Sequence, residues 1–281
     1  MKYFLSLIPT IFILFSCASQ EPEIDLAQSE VHYKLGIELA QVALYQNSIK
    51  EFELAIKFNP KNVKAYRKKG LVYYGLKQYE EAEKLFEKAI SLDPKNVQGY
   101  INLGMVKYSK GEKPEAKKLW KYSIDLNSDD NDSKAFNNIA NIYKEEKLFE
   151  KAIEYYKLAA KDSPNNMMYI SNLADTFRIK GEPEQAIKVL KQSLKLDFPG
   201  MTTHFNLGMA YKDLKKYKEA LNSFNKSLEV NKLLTEAHYE IAEIQLFQKN
   251  RDLALDSIEL AIKSRPKNLK YQNLKDKILD S

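Results

Sequence analysis

The three histidines of the chain, His32, His204 and His238, are the first candidates for metal chemistry. Imidazole is a common zinc ligand, and a helical metal site places two ligands about one turn apart, as in a His-x-x-x-His pair. No two of these histidines have that spacing; instead, all three occupy one position of a repeating pattern. The other residues at that position are Tyr66, Tyr100, Phe136 and Ile170. The histidines are therefore predicted to replace packing residues, and no metal is expected.

Cys17 is the only cysteine, and it follows Lys2 and an apolar run from Tyr3 to Phe15. The run is shorter than the ~20 residues that a membrane-spanning helix needs, and its flanks are typical of a secretory signal. An exported chain with one cysteine cannot form an internal disulfide, which favours Cys17 as a lipid acceptor. The alternative is an incidental thiol beside an ordinary cleavage site at Ser16-Cys17-Ala18.

The segment Leu14-Phe15-Ser16-Cys17 resembles the signal of bacterial lipoproteins, although Phe15 is bulkier than usual there. The resemblance implies a signal peptide over 1–16, fatty acids such as palmitate on Cys17, and a polar tether over 17–28. It also implies a membrane anchor, and the outer membrane is favoured because Ala18 and Ser19 are not acidic.

The remaining residues of types that commonly act in catalysis do not have the spacing of a known active-site motif. Glu80, Glu81 and Glu83 crowd one helix start, where they are expected to complement the helix dipole. The chain has no glycine-rich phosphate loop and no Gly-x-Ser-x-Gly elbow. We therefore expect no enzymatic activity and no cofactor.

The elements that position these residues follow a repeat of about 34 residues, which is typical of a helical solenoid. A column of small residues comprises Gly36, Gly70, Gly104, Ala140, Ala174, Gly208 and Ala242. A second small column comprises Ser48, Ala82, Ala116, Ala152, Ala186, Ala220 and Ala254. Four residues after each member of the second column stands a large residue: Phe52, Phe86, Trp120, Tyr156, Leu190, Phe224 and Ile258. Small and large residues in alternation predict closely packed helices.

Proline near the end of most repeats, as in Asn59-Pro60 and Asp93-Pro94, predicts two short helices per repeat. These features resemble the tetratricopeptide repeat (TPR) family, most clearly over 63–96. The resemblance implies an all-α solenoid, a right-handed superhelix of seven repeats over 29–268. The predicted repeats are 29–62, 63–96, 97–132, 133–166, 167–200, 201–234 and 235–268, and a capping helix is predicted over 269–281.

In this family the first helix of each repeat lines a concave groove that binds peptides. The row Asn102, Asn138, Asn172 and Asn206 is predicted on this face, and amides can hold a peptide backbone by donating and accepting hydrogen bonds. Asparagine is also common at this position without that role. Further groove residues predicted here are Arg67, Leu71, Tyr74, Ile101, Met105 and Tyr108, with Glu236, Glu240 and Glu243 at the far end. Tyr74 and Tyr108 have packing between repeats as an alternative.

The formal net charge is +6, and the lysines are spread along the chain with glutamates nearby. This pattern is typical of a solvated surface, so nucleic acid is not an expected partner. The sequence therefore predicts a non-catalytic scaffold of the bacterial envelope that binds other envelope proteins or peptides. The alternative is a soluble periplasmic or surface-exposed recognition subunit for an envelope enzyme or a host ligand.

Overall fold

The computed structural model describes residues 24–126, 132–196 and 200–281. All regular structure in these ranges is helical, which confirms the predicted all-α class. The helices are α1 (Leu26–Gln41), α2 (Tyr45–Phe58), α3 (Val63–Gly75), α4 (Tyr79–Leu92), α5 (Val97–Ser109), α6 (Lys113–Leu126), α7 (Ser133–Glu145), α8 (Phe149–Asp162), α9 (Met167–Lys180), α10 (Pro183–Ser193), α11 (Met201–Asp213), α12 (Tyr217–Val230), α13 (Thr235–Phe247), α14 (Arg251–Ser264) and α15 (Leu269–Leu279), with a 3₁₀ turn at Leu194–Leu196. Cys17, the signal segment and most of the tether lie outside the described residues.

The chain forms two compact units, one ending at Asp93 and the other running from Pro94 to Ser281. In the first unit α1 packs on α2 and α3 packs on α4. In the second unit the same pairing joins α5 to α6, α7 to α8, α9 to α10, α11 to α12 and α13 to α14. Each pair is one helical hairpin, and the hairpins recur with the period of the sequence pattern. Helix α1 begins at Leu26, so the last residues assigned to the tether are helical.

Each glycine of the first small column lies against the large residue of its own hairpin. A Cβ atom on Gly36 would lie 2.7 Å from Phe52 Cε1, and one on Gly70 would lie 2.7 Å from Phe86 Cε1. Real Cβ atoms do not approach other atoms so closely. Only glycine therefore leaves room for the phenylalanine ring of the second helix to pack against the backbone of the first. In the second unit a Cβ on Gly104 would overlap the Trp120 indole in the same way.

The turn inside each hairpin places one residue in the left-handed region of the backbone map. The residues there are Ala43, Lys77, Gly111, Lys147, Gly181, Lys215 and Lys249, with φ between 58° and 91°. They recur with the period of the repeat. Non-glycine residues are strained in this conformation, and only two of the seven positions carry glycine.

Several turns between hairpins end in an asparagine that caps the next helix. Asn62 Oδ1 accepts a hydrogen bond from the backbone N–H of Ala65 at 3.0 Å, and Asn96 Oδ1 accepts one from Gly99 at 2.8 Å. Such caps satisfy backbone donors that a helix start leaves unpaired. Asparagine after the proline turn therefore fixes where α3 and α5 begin.

Helix α15 covers the last hairpin of the second unit. Its Tyr271, Leu274 and Ile278 are buried in one apolar cluster with Ile258 and Ala261 of α14. This helix occupies the segment for which a capping helix was predicted. It protects the apolar face that a further repeat would otherwise cover.

Candidate functional site

The first helices of the second unit carry a series of ion pairs, each joining one repeat to the next. Lys144 Nζ of α7 lies 2.5 Å from Asp175 Oδ2 of α9. Arg178 of α9 binds Asp213 of α11 in a two-pronged contact, with Nε to Oδ2 at 2.7 Å and Nη2 to Oδ1 at 3.3 Å. These pairs fix the register of consecutive first helices and leave a polar face between them.

The last cluster of the series contains its most buried carboxylate, Glu240. Lys212 of α11 contacts both Glu240 and Glu243 of α13, with the Glu243 Oε2 atom at 2.6 Å. Burial alone raises the pKa of Glu243, but hydrogen bonds from Lys212 and from the Tyr239 hydroxyl outweigh it, so the pKa lies below its ordinary value. The sequence predicts an acidic end of the groove at Glu240 and Glu243, and Lys212 offsets one of these two negative charges.

A cleft of about 470 Å³ opens on this face between three successive repeats. It is lined by Tyr108 of α5, by Asn141, Lys144 and Glu145 of α7, by Lys147 and Phe149 after α7, and by Ile179 of α9. The Tyr108 hydroxyl binds the Glu145 carboxylate, and Lys113 Nζ lies 2.7 Å from Glu145 Oε2. The Ile179 side chain is 52% exposed, so the cleft has an apolar edge as well as charged walls.

The asparagine row predicted from the sequence is divided in the structure. Asn102 is buried, and its Nδ2 has no hydrogen-bond partner within the described residues. Asn172 Nδ2 donates to Asn137 Oδ1 at 2.9 Å, so it holds α9 against α7. Asn138 and Asn206 are half-buried. The four amides therefore do not form one uniform ladder, because the packing between repeats uses some of them.

The other predicted groove residues differ in accessibility. In the first unit Leu71 and Tyr74 are half-buried, and the buried Arg67 Nε lacks a hydrogen-bond partner within the described residues. In the second unit Ile101 is 1% exposed and belongs to the main apolar cluster, and Met105 packs against that cluster. Ile101 is thus a core residue rather than a surface contact.

Comparison with models of protein families identifies the family of this chain. Models described as tetratricopeptide repeat match residues 63–96, 85–118, 133–166, 169–198, 202–232 and 235–268, more than half of the chain. The chain belongs to the tetratricopeptide repeat family. No curated protein matches the sequence.

Solved structures share the TPR solenoid at low sequence identity. The chain resembles pilF of Pseudomonas aeruginosa, with a TM-score of 0.62 and 19% identity over 76% of this chain and 97% of that one. PilW, titled a type IV pilus biogenesis factor, gives a TM-score of 0.64 and 20% identity over 74% of this chain and 96% of that one. A chain of the Cut9–Hcn1 complex gives a TM-score of 0.64 and 18% identity. The match covers 90% of the present chain but only 46% of the chain from that complex. These likenesses support the TPR fold alone.

The histidines of this TPR chain have local structural contacts. His32 stacks on Phe58 with ring centroids 5.4 Å apart, and its Nδ1 lies 2.6 Å from Glu51 Oε2. Burial, followed by the charge of Lys226, lowers the pKa of His204. No group of three metal-ligating residues is found in the parts of the chain that the structure describes. Within the same parts, every helix is too short or too polar to cross a bilayer.

Sequence reasoning missed the cations of the ion-pair series. Lys144, Arg178 and Lys212 follow one another at intervals of 34 residues, which is the spacing that was used to find the repeats. This was the available signal. Their acidic partners have no single spacing, because Asp175 and Asp213 occupy different turns of their helices. Which acidic residue pairs with each cation therefore depends on how neighbouring TPR hairpins are staggered in three dimensions.

Proposed function

We propose that the chain is a non-catalytic scaffold of the bacterial envelope that binds segments of partner proteins on its first-helix face. The observation that carries this proposal is the cleft bounded by Tyr108, Lys144 and Ile179. Its combination of an aromatic side chain, paired charges and an exposed aliphatic edge matches the make-up of protein-binding hot spots. The TPR fold supports the same conclusion, since the family typically provides interaction scaffolds.

The proposed partners are other envelope proteins or peptides. Lys144 of the cleft is already paired with Asp175, so a partner gains little from the charge of that side chain. A bound segment would instead place an apolar side chain against Ile179 and Tyr108 and exchange hydrogen bonds with Asn141. One structural neighbour, PilW, is titled a type IV pilus biogenesis factor, which makes envelope assembly one setting for the proposed role.

The test compares two exposed aliphatic residues of the second unit. Ile179→Asp changes the cleft, whereas Leu253→Asp changes a side chain of similar exposure, 53% against 52%, on α14. We expect an immobilised Ile179→Asp protein to lose partners that the wild type and Leu253→Asp capture from solubilised envelopes. Equal capture by all three proteins would contradict the proposed site.

A separate proposal is that acylated Cys17 anchors the chain in the outer membrane. The apolar run before Cys17 and the polar residues after it support this proposal. Two acyl chains would anchor the protein stably, since one chain binds only marginally. We expect Cys17→Ser to abolish incorporation of labelled palmitate and to release the protein from membranes. Labelling that persists in the variant would contradict the lipid assignment.

A further inference from the structure

Helix α1 exposes side chains of a kind that the other hairpins bury. In the part of the chain that the structure describes, no helix precedes α1, and its Val31 and Leu35 are 58% and 40% exposed. In the five hairpins of the second unit, the position of Leu35 is occupied by Leu103, Ile139, Leu173, Leu207 and Ile241, which are all buried. Val31 and Leu35 are therefore core-type side chains that no helix of the described structure covers.

The exposed residues of α1 have the spacing of a coiled-coil stripe. Ile24, two residues before the helix, is 49% exposed, and Val42, directly after it, is 66% exposed. The stripe of exposed residues, called the α1 seam, comprises Ile24, Gln28, Val31, Leu35, Glu38 and Val42. Its successive members are separated alternately by four and three residues. This spacing places side chains along one side of a helix, where they pack against a second helix.

The chain before α1 and a lipid surface are both poor occupants of this seam. Residues 17–23 contain no leucine, isoleucine, valine, methionine or aromatic residue. Around the seam, Asp25, Glu30 and Glu38 outnumber the single lysine, Lys34, which lies 3.6 Å from Glu30. Helices that lie on bilayers instead carry lysine and arginine beside their apolar side. An anionic bilayer is therefore repelled by this side of α1.

A further hairpin of the same kind does not fit the seam, because of Glu38. At this position the other hairpins carry Val72, Val106, Ile142, Thr176, Ala210 and Ile244, which are all buried. Glu38 is exposed, and burial of its carboxylate against an apolar helix would cost free energy unless a hydrogen-bond donor lay opposite. The occupant of the seam therefore offers both apolar side chains and a polar donor at defined positions.

A second copy of α1 meets both requirements when the two helices run antiparallel. The six seam positions are symmetric about position 33, so Leu35 meets Val31 of the second copy, and Val42 meets Ile24. In the same register Glu38 meets Gln28, whose amide can donate to the carboxylate. Polar contacts of this kind fix the register of coiled coils. A parallel pair would place Glu38 beside Glu38, where like charges repel.

We propose that the α1 seam is a self-association surface, on which a second copy of this chain packs antiparallel through its apolar residues and the contact between Gln28 and Glu38. Each copy uses the same residues, so the assembly closes as a two-fold dimer. This inference goes beyond the proposed function, because the seam lies in the first unit and its partner is the chain itself. A dimer presents two first-helix clefts, which strengthens binding to a partner that carries two matching segments.

The experiment traps the dimer with disulfides in cells that express the full-length protein. Two differently tagged chains are produced together, one with Gln28→Cys and the other with Glu38→Cys. We expect a disulfide-linked heterodimer after mild oxidation, because the two thiols face each other in the antiparallel register. Homodimers of either chain should be at least about tenfold less abundant, since their like thiols lie ~15 Å apart, ten residues along a helix. Wild-type chains, which contain only Cys17, measure the background.

Disrupting variants and a matched control test the apolar contact. Leu35→Glu in both chains should lower the heterodimer yield about tenfold or more, and Val42→Glu should act in the same direction. Leu253→Glu, on α14 with 53% exposure, makes the same change away from the seam and should leave the yield unchanged. Helical circular dichroism of the purified variants checks that each is folded.

Four results would overturn the proposal. These are absence of the heterodimer, homodimers as abundant as the heterodimer, a yield that Leu35→Glu and Val42→Glu leave unchanged, and a yield that Leu253→Glu lowers equally. A disulfide that links the Gln28→Cys chain to a different envelope protein, without the heterodimer, would also overturn it and would identify another partner. Chains with Ile179→Asp should form the heterodimer normally, which separates this test from that of the first-helix cleft.

Discussion

At the scale of single residues, glycine occupies the first small column wherever the large residue of the hairpin is phenylalanine or tryptophan. Glycine faces Phe52, Phe86, Trp120 or Phe224, whose rings would overlap a Cβ. Alanine occurs in the hairpins whose large residue is Tyr156, Leu190 or Ile258. The sequence predicted the two columns because this packing is local to one hairpin. It did not predict the burial of Ile101, because one side of a short amphipathic helix meets both its own hairpin and the next one.

This matching predicts the effect of a single methyl group. Gly70→Ala should lower the free energy of unfolding by about 1–3 kcal/mol, because the added Cβ would displace the Phe86 ring. Gly75→Ala, on the same helix with no atom within 4 Å of the added Cβ, is the control and should be neutral or slightly stabilising. Urea unfolding of the two variants checks both values. Addition of Phe86→Leu to Gly70→Ala should restore part of the loss.

The Glu243 carboxylate at the end of the ion-pair series predicts a pH dependence. The folded-state pKa of Glu243 lies below its unfolded value of 4.5, so its contribution to stability is present above pH 4.5 and disappears as the pH falls through the folded pKa. Glu243→Gln should therefore flatten the loss of stability on acidification in this range. Chemical unfolding at a series of pH values below 4.5 measures it. A wild-type slope that persists unchanged in the variant would contradict this role.

At the scale of elements, the turn inside each hairpin imposes the same backbone conformation whatever residue is present. The sequence showed where helices stop at proline but not that position 147 or 215 has a positive φ, since lysine rarely adopts it. The stagger of neighbouring first helices could also not be predicted from the sequence. The contacts between Lys144 and Asp175 depend on that stagger.

The turns predict substitutions of opposite sign. Lys215→Gly should raise the free energy of unfolding by about 0.5–1 kcal/mol, because glycine adopts φ 58° without steric strain. Gly181→Ala should lower it by about 1 kcal/mol, since its φ is 91°. Thermal and urea unfolding of both variants measure the changes. Shifts of the same sign in the two variants would show that the turn conformation is not the cause.

At the scale of the whole molecule, repetition made the fold predictable and left the ligand unspecified. Seven recurrences of the same columns indicated an all-α TPR solenoid, because each hairpin is stabilised mainly by its neighbours. The candidate site lies at positions where the repeats differ from one another, such as Tyr108, Asn141 and Ile179. The repeat pattern therefore gives no information about which residues form the site. Such sites become visible only when successive repeats are placed side by side.

The most direct test of the account places a photo-cross-linking amino acid at Ile179 in living cells, with the same amino acid at Leu253 as the control. Both positions are exposed, and only Ile179 borders the first-helix cleft. The account predicts discrete adducts with one or a few envelope proteins from position 179, weakened by Tyr108→Ala, and none of them from position 253. The same adducts from both positions, or none from position 179, would contradict the claim that this face of the repeats binds partner proteins.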